Sequence, residues 1–174
     1  VKESAAVQRN FENYHLITST AKISTPTHGG RAKCLQRLVR LDLPVPKTVA
    51  LSFDIIKEIA FGKMPNLNDI LSNFAPTDIL CVRPSSESSD WGGPGAVLNI
   101  GMNEERCSHL KKYIGEKAAS ELYFRFIQAY SVSVARLDPD IFDHITGANG
   151  NSASAALAAY EQEVDESFPQ SIEH

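Results

Sequence analysis

The 174-residue chain has one tryptophan, two methionines and three cysteines. No apolar run approaches the ~20 residues that span a bilayer, so no membrane partner is expected. No basic start, apolar centre and small-residue cleavage site marks a signal peptide. The chain opens on Val1 rather than Met, so an upstream residue or segment is expected. Cys34, Cys81 and Cys107 are odd in number and show neither disulfide nor zinc spacing. They read as reduced thiols of a cytoplasmic protein, with Cys34 and Cys81 packed in the core. There is no Walker P-loop, no Gly-x-Ser-x-Gly elbow and no metal-ligand spacing. His15, His28, His109, His144 and His174 are each expected at the surface.

Basic residues are missing from the whole of 137–174, which carries eight acids and a net charge of −8. Residues 1–136 hold all 17 Lys and Arg against 13 Asp and Glu, a net +4. The first part can attract a polyphosphate and the second would repel one. Without a basic run or interleaved aromatics, a nucleic-acid partner is not expected.

At 43% hydrophobic, the chain can bury one real core. Aromatic and β-branched residues predict a strand over 11–18, followed by a polar loop to His28. Cys34, Leu35, Leu38 and Val39 recur at helical spacing, which predicts a helix over 31–40 stopped by Pro44 and Pro46. A strand over 48–51 leads to Ser52, a natural N-cap for a helix over 53–61. Asn66 or Asn68 caps a further helix towards Phe74. Apolar runs at 79–82 and 97–100 predict two more strands. Helices are expected over 104–113, 116–136 and 153–164, with Gly115 between the first two. The second carries a stripe of Leu122, Tyr123, Phe126, Ile127, Tyr130 and Val134. This order fits an α/β (α+β) domain with a small mixed sheet and packed helices. Residues 1–145 form the domain, and 146–174 a flexible crossing and an acidic helical segment.

The segment between the runs at 79–82 and 97–100 is the richest in chemistry. Arg83 leaves the first run, and 84–96 follows with four serines, three glycines and two prolines. Such a stretch builds no core, yet its backbone N–H groups can approach an anion, and the arginine fork grips oxyanions bidentately. The same composition also describes an ordinary surface loop, with Arg83 paired to Glu87 or Asp90. Arg31 follows Gly29 and Gly30 at the start of its predicted helix. A cation there opposes the helix dipole unless an anion is bound, and the alternative is a solvated arginine. Lys33 either offers a second cation or points to solvent.

Three ordered blocks carry a family resemblance. Val82-Arg83-Pro84-Ser85-Ser86, continuing through Gly92 to Val97-Leu98-Asn99-Ile100-Gly101, resembles the Val-Arg-Ser-Gly-Ala…Gly…Val-Leu-Asn-Leu-Gly segment of pyruvate, phosphate dikinases and phosphoenolpyruvate synthases. Gly29-Gly30-Arg31-Ala32-Lys33-Cys34-Leu35, ending in Leu43-Pro44-Val45-Pro46, resembles their Gly-Gly-Lys-Gly-Ala-Asn-Leu…Leu-Pro-Val-Pro. Tyr123-Phe124-Arg125-Phe126-Ile127-Gln128-Ala129-Tyr130 resembles Tyr-Arg-Arg-Phe-Ile-Gln-Met-Tyr.

The resemblance implies the first lobe of an ATP-grasp-type nucleotide-binding domain. The parent would use ATP and Mg2+ to phosphorylate a carrier histidine and then pyruvate. Its implied phosphate-binding residues are Arg31, Arg83, Ser85, Ser86, Gly92, Gly93 and Gly95, with Lys33 a weaker candidate. Arg31 stands where the family has lysine, Ala32 and Lys33 where it has Gly and Ala, and Ala96 where it has threonine. Arg83 and Gly92 match. No metal ligand is expected in this chain. Phe168-Pro169-Gln170 resembles the Phe-Pro-Gln that precedes the family's second lobe, which supplies the magnesium ligands. The partners implied are ATP and the parent's remaining domains, and the isolated chain is expected to be inactive. The alternative is a non-catalytic nucleotide-binding or regulatory module of the same fold.

Overall fold

The computed structural model describes residues 14–88, 95–145 and 151–171. The chain divides into two compact units, one of residues 1–76 with 84–94, the other of 77–83 with 95–174. The acidic C-terminal part groups with the second unit.

In the first unit, β1 (Tyr14–Leu16) pairs antiparallel with β2 (Val49–Leu51), His15 lying opposite Ala50. Helix α1 (Thr25–Arg40) lies between them in sequence and packs on β2. It begins earlier than its periodicity predicts, because Thr25–His28 form a first turn before a kink at Gly29. Ala32, Leu35 and Val39 of α1 meet Ile17, Ile23 and Ala50 in a small core. Cys34 falls on the opposite side of that stripe at 100° per residue and is exposed, not packed as expected. Gln36 takes a core position and is fully buried. Asp42 closes the helix in a left-handed conformation (φ 53°), two residues before Pro44. Ser52 caps α2 (Phe53–Ala60), its Oγ accepting from the Ile55 amide at 3.3 Å. Asn66 caps the short α3 (Leu67–Leu71).

In the second unit, β3 (Leu80–Val82) pairs antiparallel with β4 (Val97–Ile100). In place of one small mixed sheet, the described residues form two separate antiparallel pairs. The register slips between the Leu80–Ile100 and Val82–Val97 pairs, giving β4 one extra residue. Asn99 (φ 59°) absorbs that bulge and donates from Nδ2 to the Leu122 carbonyl at 3.2 Å. A two-stranded sheet has no inner strand, so Cys81 and Val82 are exposed, against the buried position expected for Cys81.

Asn103 caps α4 (Glu104–Ile114) through the Arg106 amide at 2.8 Å. Gly115 (φ 85°) turns the chain into α5 (Glu116–Ser133). Of the predicted stripe, Tyr123, Phe126 and Ile127 are buried, whereas Val134 lies past the helix end, 54% exposed. A 3-10 turn (Pro139–Phe142) and α6 (Ser152–Val164) pack against α5. The last helix begins at Ser152, one residue before the start predicted for it.

Phe168 holds this unit together. It is 2% exposed, and its ring centroid lies 5.1–6.3 Å from those of Tyr123, Phe126, Tyr130 and Tyr160. All four contacts are edge-on, the arrangement that aromatic quadrupoles favour. Gln170 ties the same segment down, donating from Nε2 to the Tyr123 hydroxyl at 3.2 Å and accepting from the Glu104 amide at 3.2 Å. Phe168→Ala is therefore expected to lower stability by about 3–5 kcal/mol, read from the urea unfolding midpoint. A loss below about 1 kcal/mol would show that α5 and α6 pack without it.

Candidate functional site

Gly29 and Gly30 bring two distant segments of the first unit together. Gly29 has φ 84° and ψ 166°, a conformation almost confined to glycine. A Cβ on it would sit 2.6 Å from the Ser85 carbonyl carbon. The Gly30 amide donates to the Ser86 carbonyl at 2.8 Å, and the Ala32 amide donates to Ser85 Oγ at 3.2 Å. Ser24, at the nominal start of α1, makes no side-chain cap. Ser85 and Ser86 therefore cap the helix where it restarts after the kink, satisfying amides that lack an intrahelical partner. The Arg31 guanidinium donates to the Pro84 carbonyl at 2.6 Å from an exposed position.

Arg31, Ser85 and Ser86 are thus brought together across 53 residues of sequence. Arg83 directly precedes this clasp but belongs to the second unit. Its side chain is exposed and makes no hydrogen bond or ion pair among the described residues. Gly95 is exposed in open space, and a Cβ there would meet nothing within 4 Å. Gly92 and Gly93 lie outside the described residues.

Lys33 does not point freely to solvent. Its ammonium donates to the Ile23 carbonyl at 2.9 Å and to Gln36 Oε1 at 2.8 Å. Gln36 in turn donates from Nε2 to the carbonyls of Thr18 at 3.1 Å and Ala21 at 2.6 Å. The buried amide and the lysine together fix the turn that enters α1. The signal in the sequence is Gln36 itself, a polar residue on the 32–35–39 face.

His28 is also not a surface residue, being 4% exposed. Its Nδ1 lies 2.8 Å from Thr27 Oγ1, its Nε2 has no hydrogen-bonding partner, and its ring centroid is 5.4 Å from that of His15. Burial, and then the nearby His15, hold its pKa below the ordinary imidazole value. An unpartnered buried polar atom of this kind costs about 1–3 kcal/mol. Its polar surroundings in sequence concealed it, because burial here comes from the turn folding back rather than from periodicity.

Part of this chain is similar to proteins of one class, the pyruvate, phosphate dikinases. A 68-residue stretch is 37% identical to the pyruvate, phosphate dikinases of Rickettsia felis and Rickettsia conorii, and 35% identical to that of Rickettsia bellii. It covers 38% of this chain and 8% of each relative, so the match spans a small part of those proteins. This similarity supports the family that the three sequence blocks point to. No family model matches the chain.

Two outcomes follow from this geometry. Gly29→Ala is expected to lower stability by about 3 kcal/mol or more, from both the forbidden backbone angle and the collision with Ser85. Gly30→Ala, whose Cβ would meet only the Ser86 carbonyl oxygen at 3.7 Å, should cost under about 1 kcal/mol. Equal midpoints for the two variants in urea would remove the clasp as a stabilising contact.

The second outcome concerns pH. The unfolded chain takes up a proton on His28 near pH 6.5, whereas the native chain, with its lowered pKa, resists it. Stability should therefore fall as pH drops below about 6.5, and His28→Gln should flatten that fall. Unfolding midpoints at pH 7.5 and 5.5 test this, and an unchanged slope in the variant would assign the loss to other groups.

Proposed function

We propose that this chain is the ATP-binding part of a phosphotransferase related to pyruvate, phosphate dikinase. The parent would pass a phosphoryl group from ATP to a carrier histidine and then to pyruvate. One observation carries the reading beyond sequence similarity. The block around Gly29–Ala32 and the block around Pro84–Ser86, both family-like, meet at the start of one helix. Arg31, Ser85 and Ser86 of the first unit would contact the phosphates, and Arg83, Gly92, Gly93 and Gly95 are the other positions that the family resemblance implies for phosphate. Magnesium would be held by acidic ligands of a second lobe.

One feature favours the second reading, a non-catalytic module of the same fold. The helix-start amides of Gly30 and Ala32 are engaged by Ser86 and Ser85, and Arg31 by Pro84. A phosphate entering there would have to displace those contacts or bind beside them. This lowers the gain from binding without abolishing it.

The chain alone is expected to bind Mg-ATP no tighter than high micromolar and to hydrolyse none, as read by calorimetry and phosphate release. Two or three charge-assisted hydrogen bonds, worth about 1.5–3 kcal/mol each, do not make a tight site. Arg83→Ala should remove the binding and leave the melting temperature unchanged. Lys33→Ala should do the opposite, because its ammonium holds the Ile23 turn. Binding that survives Arg83→Ala and Arg31→Ala would defeat this reading.

A further inference from the structure

Away from the clasp, we propose that an open cleft of about 790 Å3 in the first unit is a second site, one that binds the phosphate group of a small phosphorylated molecule. It lies among β1, the turn into α1 and the start of α2. Its polar lining includes Thr20, Lys22, Thr27, Ser52 and Lys57, with His15 and His28. Pro26 and Phe53 give it an apolar wall for an organic portion. The volume lies within the range of small-molecule sites.

Charge decides the class of ligand. Two lysines face one acid, Asp54, so the cleft is positive even with both histidines neutral. Lys57 holds Asp54 at 3.2 Å in an exposed pair, which offsets the carboxylate's repulsion and leaves the ammonium further protons to donate. Lys22 is exposed, and its ammonium makes no hydrogen bond or ion pair among the described residues. A metal cation would meet both lysines, and no group of three or more His, Cys, Asp or Glu that could hold a metal occurs among the described residues.

His28 supplies the second, independent observation. It is buried in the lining with Nε2 unpartnered. When Nδ1 accepts from the Thr27 hydroxyl, the neutral ring carries its proton on Nε2, a donor with no acceptor. A phosphate oxygen is the acceptor that completes it. The half-buried His15 lies beside His28 in the same lining, the two ring centroids 5.4 Å apart.

The test uses the full chain with inorganic phosphate and pyrophosphate, followed by the His28 ring resonances in NMR and by calorimetry. Both probes should shift those resonances saturably. They should also raise the His28 titration midpoint towards the ordinary value, against a background of His15, Lys22, Asp54 and Lys57. Lys22→Ala and Lys57→Ala, both at exposed positions, should each weaken binding about tenfold. His28→Gln, which places an amide donor near Nε2, should retain more affinity than His28→Phe. Three results would each overturn the proposal. These are no saturable shift, equal binding of citrate, or histidine-dependent binding of Zn2+ in place of phosphate. Phosphate binding lost in Arg31→Ala but kept in Lys22→Ala would place the ion at the clasp instead, leaving the proposed function intact and this site empty.

Discussion

The approach of Gly29 to the Ser85 backbone is the constraint on which the first unit depends. A chain with a side chain at 29 cannot both turn at φ 84° and lie against Ser85. Once glycine permits the turn, α1 restarts with its amides facing another loop rather than its own preceding residue. Ser85 and Ser86 then cap the restart, and Arg31 holds the adjoining carbonyl. The second unit repeats the device by other means. Asn151 gives α6 no side-chain cap, and Ser120 on α5 accepts from the Ala153 amide at 3.2 Å instead. In both units a serine distant in sequence completes a helix start, so local structure and tertiary contact form together.

Much of this was legible in the residues. Ser52, Asn66 and Asn103 cap the helices they precede because each has a short side chain with an oxygen that reaches back to the first-turn amides. Gly115 separates α4 from α5, and the 97–100 strand lies where its apolar run places it. The strand ending at Val82 and the helix ending at Ser133 were equally visible, give or take a few residues.

What periodicity could not show is what lies opposite each face. Cys34 and Cys81 have apolar neighbours, yet one sits on the far side of α1 and the other in a sheet of two strands. Gln36 and His28 are polar and buried, because the 17–28 turn wraps over them and their partners are carbonyls and a hydroxyl drawn from that turn. Phe168-Pro169-Gln170 carried a family resemblance, while its physical work is to fill a ring of four aromatics. For the candidate site, the motifs singled out Arg31 and the serines after Arg83, and the Arg31 guanidinium lies against the Pro84 carbonyl that precedes those serines. They did not reveal that those serines engage the helix-start amides of Gly30 and Ala32.

The path of the chain through its two units has a kinetic consequence. The backbone leaves the first unit after residue 76, adds a strand to the second, and returns at residue 84 with the serines that cap α1. During synthesis α1 emerges with its restart unsatisfied and stays so until some 53 further residues have been made. Closing so long a loop carries an entropic penalty before any contact rewards it. The order of events is therefore written into the topology: the second half of α1 settles late, and neither unit can finish ahead of β3.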